Sequence, residues 1–91
     1  MNPQDVAAVA AEVERVSSGA KVIEQTADGE GYGLLLVERP GHHQPWVVWR
    51  WATKRTDGSP VGGQSGAMLW SGSYWDERKD AEWDMRSRPR R

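Results

Sequence analysis

The chain contains no cysteine and no phenylalanine, and only two histidines. Without thiols there is no disulfide framework, no thiolate zinc site and no cysteine nucleophile. A cysteine-free chain fits a reducing compartment. No apolar stretch approaches the roughly 18 residues of a membrane span, and Leu34-Leu35-Leu36-Val37 is only of strand length. The N-terminus carries neither the basic nor the apolar segment of a signal peptide. A cytoplasmic protein with no membrane partner is expected. Net charge is −1, which supplies no global attraction to nucleic acid.

Against those absences stand six tryptophans in 91 residues. Three of them fall in one run, Trp46-Val-Val-Trp49-Arg-Trp51. Indole is the largest apolar side chain and carries one N–H donor, so it dominates either a core or a contact surface. A chain this short forms one domain with a small core. More indole than such a core can hide points to a contact surface.

Asn2 and Pro3 open a helix over 3–17, as N-cap and first helical residue. Val6, Val9, Ala10, Val13 and Val16 form its apolar stripe. Gly19 suits the left-handed position that closes it. A strand over 20–27 leads through the Asp28-Gly-Glu-Gly31 hairpin signal to a second strand over 32–39. The third strand, 46–55, carries the strongest β character. Alternation sets Val47, Trp49, Trp51 and Thr53 on one face and Trp46, Val48, Arg50, Ala52 and Lys54 on the other. The Gly-rich loop 56–66 precedes a short strand over 67–71. Ser73 and Asp76 then resemble a capping box for a last helix over 74–87, which Arg88-Pro89 ends. The expected fold is α+β: a four-stranded antiparallel meander with both helices on one face of the sheet. The folded domain is expected to span 1–87, and 88–91 to form a basic tail.

No coherent catalytic set emerges, and a non-enzymatic chain without cofactor is expected. His42 and His43 are adjacent with no third ligand nearby, so a polar turn is favoured over a metal site. Loop 58–66 lacks the Gly-Lys-Ser/Thr ending of a P-loop. The acids of the last helix alternate with bases, as in Asp76 with Lys79 and Glu82 with Arg86, the pattern of a solvated face. On that helix Ala81 and Met85 share a stripe with Tyr74. Trp83 lies about 160° away from Ala81, at 100° per residue.

Trp83 beside Lys79, with Trp46 and Arg50 on the sheet, are therefore the candidate contacts for another protein, whether a host protein or a second copy. The alternative is a single-stranded nucleic-acid surface built from Trp46, Arg50, Lys54, Arg55, Arg88, Arg90 and Arg91.

The segment from Leu69 to Arg88 resembles small proteins of actinobacteria and their phages, in which a Trp-bearing strand leads through Gly-x-Tyr into a helix. The matching positions are Trp70, Gly72, Tyr74, Ala81, Met85 and Arg88. The resemblance implies a sheet followed by a packed helix, and a phage-type accessory protein that modulates a host protein. It implies no activity.

Overall fold

The computed structural model describes residues 2–89. Helix α1 spans Pro3–Val16, followed by strands β1 (Lys21–Gln25), β2 (Tyr32–Glu38), β3 (Trp46–Ala52) and β4 (Met68–Trp75), and helix α2 (Arg78–Ser87). The strands form one antiparallel sheet in the order β1-β2-β3-β4. This is the expected α+β meander. Asn2 Oδ1 accepts the Gln4 N–H at 2.8 Å and Pro3 sits in the first turn, as its sequence indicates. Gly19 has φ +83. In the first hairpin Asp28 Oδ1 accepts the N–H of Glu30 and of Tyr32.

The two helices do not share a face, which corrects the expected layering. α1 packs Val9 and Val13 onto Leu35, Val37, Val47, Trp49 and Trp51. α2 packs Ala81 and Met85 onto Leu34, Leu36 and Val48 from the opposite side. The physical reason lies in β2. Consecutive side chains point to opposite faces, so the run Leu34–Val37 makes both faces apolar, and all four side chains are buried. One layer of helices would leave Leu34, Leu36 and Val48 in water.

The end of the chain also departs from expectation. β4 runs on to Trp75, and α2 starts only at Arg78. Ser73 pairs with Val48, Tyr74 with Val47 and Trp75 with Trp46. Those ladder contacts override the local capping signal. Ser73 caps nothing, and the N-cap, Glu77, makes no side-chain capping hydrogen bond. Tyr74 is thus a strand residue and not part of the α2 stripe.

Both inward indoles of β3 lie against a glycine. Trp51 is fully buried and faces Gly33 in the β2–β3 register. Its Nε1–H donates to Thr26 O at 2.9 Å across that gap. Trp49 lies beside Gly72, in an irregularity where Ser71 (φ +58) and Gly72 together oppose it. A Cβ on Gly33 would fall on the Thr26 carbonyl and within 2.6 Å of Trp51 Nε1. Gly33→Ala is therefore expected to destabilise the domain by about 3 kcal/mol or more. Chemical denaturation with tryptophan fluorescence measures it.

Candidate functional site

Docking Ala81 and Met85 on the sheet dictates what α2 shows to water. Trp83 stands two residues from each, about 200° around the helix. It points away from the sheet and is 66% exposed, the most exposed large apolar side chain among the described residues. The helix beneath it is held at both ends. Near its start, Arg78 lies over the Trp46 ring, 5.5 Å from the centroid. Near its end, Asp84 accepts from Trp75 Nε1 at 3.1 Å and from Arg88 Nε at 3.1 Å. Arg88 also donates to Ser71 O at 2.8 Å and to Ser73 Oγ. Trp83 is thus displayed on a braced helix. Around it the ion pairs are Glu77–Lys79 at 3.3 Å and Arg78–Glu82 at 3.4 Å, rather than the expected Asp76–Lys79 and Glu82–Arg86.

The other sequence candidates do not converge. Trp46 is half-buried in the core beneath α2. Arg50 donates to Pro89 O at 2.8 Å and so fastens the backbone just after α2. Lys54 and Arg55 are exposed, but Lys54 is eight positions from Trp46 along the β3 direction. At about 3.3 Å per residue that is roughly 26 Å. Arg88, assigned by sequence to a tail, is docked on β4 as described, and Arg90 and Arg91 lie outside the described residues. The sheet face expected to hold unstacked bases is covered by α2 instead. His42 and His43 are exposed in the β2–β3 turn, and among the described residues no group of three or more acidic or histidine side chains could hold a metal ion.

A second exposed apolar strip lies on β4 and escaped the sequence reading. Met68, Trp70 and Tyr74 are 45%, 38% and 44% exposed. Arg39 stacks on Tyr74, 4.8 Å from the ring centroid. The signal for this strip was present, because no charged residue stands between Asp57 and Asp76.

Loop residues 61–65 border a cleft of about 360 Å³ together with Glu12, Arg15, Ala67 and Met68. Glu12 is buried and takes a two-pronged hydrogen bond from Arg15, at 2.8 and 2.6 Å. It also accepts from Ser65 Oγ at 2.9 Å, which ties the loop to α1. The arginine hydrogen bonds hold its carboxyl below the ordinary range, with Ser65 assisting and burial opposing. This carboxylate is accounted for by a structural role.

No family model, curated protein or solved structure matches the chain.

The depressed Glu12 carboxyl sets a pH dependence. As pH falls the unfolded chain takes up this proton before the folded one, so the stabilisation is complete above the ordinary carboxylate range and disappears as pH drops through the lowered value. Glu12→Gln is expected to melt lower than the wild type at neutral pH, with the gap closing in acid. Thermal unfolding of both chains over a pH series checks this.

Proposed function

We propose that this chain is a non-catalytic binding module that presents the outer side of α2 to another protein, with Trp83 as the anchor and Lys79 beside it. The observation that carries the reading is the 66% exposure of Trp83 on a helix whose far side is fully packed. An indole in water on a braced backbone gains from burial, by on the order of 2–3 kcal/mol, and little ordering entropy opposes it. Tryptophan is enriched at the centres of interfaces for this reason. Lys79 and Asp80, one turn before it, supply a polar rim. The accessory role implied by the phage-protein resemblance belongs to the same proposal, with a host protein as the partner.

Trp83 is 66% exposed and belongs to neither buried cluster of the described residues, so Trp83→Ala is expected to leave stability within about 0.5 kcal/mol of the wild type. Loss of a hot-spot indole weakens a contact by about 2 kcal/mol or more, roughly thirtyfold. Affinity capture by the wild type and by Trp83→Ala, read by mass spectrometry with and without nuclease, tests the reading. A protein lost with Trp83→Ala and kept after nuclease treatment supports it. Identical capture by the two chains refutes it.

A further inference from the structure

Among the described residues β4 has a neighbouring strand on one side only. So does β1, but β1 is five residues long and carries Lys21 and Glu24, and edge charges discourage pairing with another chain. β4 is eight residues long, with no charge and no proline. Three of the chain's exposed large apolar side chains, Met68, Trp70 and Tyr74, stand on it. We propose that β4 pairs antiparallel with β4 of a second copy of this chain, so that Ser71 of each copy faces Gly72 of the other and the two four-stranded sheets become one.

The bulge selects this register. In a regular strand, neighbours point to opposite faces, so a two-fold axis normal to the sheet cannot set a residue against its own successor. Ser71 and Gly72 together oppose Trp49, and the alternation along β4 skips one place there. Met68 and Trp70, and beyond the bulge Ser73 and Trp75, therefore all share the α2 face, in register with Ala52, Arg50, Val48 and Trp46. Leu69 and Tyr74 share the α1 face, in register with Trp51 and Val47. Centred on Ser71 and Gly72, the pairing sets Met68 against Trp75, Leu69 against Tyr74 and Trp70 against Ser73, each pair on a common face. The exposed apolar chains of the strip are then the ones that gain cross-strand partners.

Charge favours a second copy as the occupant. One step beyond the apolar pairs, Asp76 of one copy comes alongside Ala67 of the other. Ala67 borders the same cleft as the Glu12–Arg15 ion pair, of which the guanidinium is the exposed member and the carboxylate the buried one. Each copy thus brings a carboxylate to the cleft where the other exposes a guanidinium, twice by symmetry, and the arginines nearest the axis, Arg88 of each copy, are paired with their own Asp84. The surface is separate from the Trp83 side of α2, so the two readings stand or fall independently.

Analytical ultracentrifugation of the full chain over a concentration series is expected to show a monomer–dimer equilibrium. Met68→Lys with Trp70→Lys is expected to weaken association at least about tenfold, with circular dichroism confirming the fold, whereas Trp83→Ala leaves it unchanged. Because the chain has no cysteine, Trp70→Cys with Ser73→Cys supplies the only thiols. Mild oxidation of that folded variant is expected to give a covalent dimer, which tests the register without relying on the lysine variant. A wild type that stays monomeric throughout overturns the proposal. So does open-ended polymerisation, a dimer undiminished in the folded lysine variant, a dimer lost with Trp83→Ala, or a dimer that oxidation does not cross-link.

Discussion

The structure depends on room for two indoles inside one face of a small sheet. Trp49 and Trp51 are both buried on the α1 side, and neither could lie flat over a neighbouring side chain. Each instead lies over a glycine: Trp51 over Gly33 of β2, and Trp49 over Gly72 of β4. The gap at Gly33 also lets the Trp51 indole reach the Thr26 carbonyl, so the N–H that would otherwise be buried without a partner is satisfied. One ring thus joins the ends of β1 and β3 across β2. α1 needs only Val9, Val13 and Ala8 to close over it.

That arrangement has consequences on both sides of the sheet. With β2 apolar on each face, a second cover is obligatory, and α2 supplies it. α2 has only ten residues and only Ala81 and Met85 are buried in it, so its hold is reinforced by polar contacts. Arg88 links Asp84 to Ser71 and Ser73, and Trp75 donates to the same carboxylate. A thin helix fixed in this way leaves its outer side open, and Trp83 occupies the middle of it. Gly72, required by the Trp49 ring, belongs to the bulge that re-aims the side chains of β4. Packing inside the domain and the apolar strip at its edge thus share one origin.

Much of this was legible in the residues. Asn2-Pro3 and Gly19 mark the ends of α1, the valines mark its buried face, and alternation along β3 separates Val47, Trp49 and Trp51 from Trp46, Val48 and Arg50. The offset of Trp83 from Ala81 and Met85 holds in the structure even though α2 starts four residues later than expected. The local capping pattern at Ser73 misled, because a strand that pairs with Trp46 and Val47 gains more than one N-cap offers. The expected helix takes in only Tyr74 and Trp75, the last two of the eight β4 residues, and the short strand expected over 67–71 does not mark Met68 and Trp70 as standing on an open edge.

What the sequence determined by itself is the list of elements, their order and the inward direction of two tryptophans, since these follow from periodicities carried by neighbouring residues. The tertiary structure alone decided that the helices lie on opposite faces and that Arg50 and Arg88 bind the segment after α2 to the sheet. It also decided which indoles remain in water. Those outcomes depend on which distant segments compete to cover the same apolar area, and no local pattern records the result of that competition.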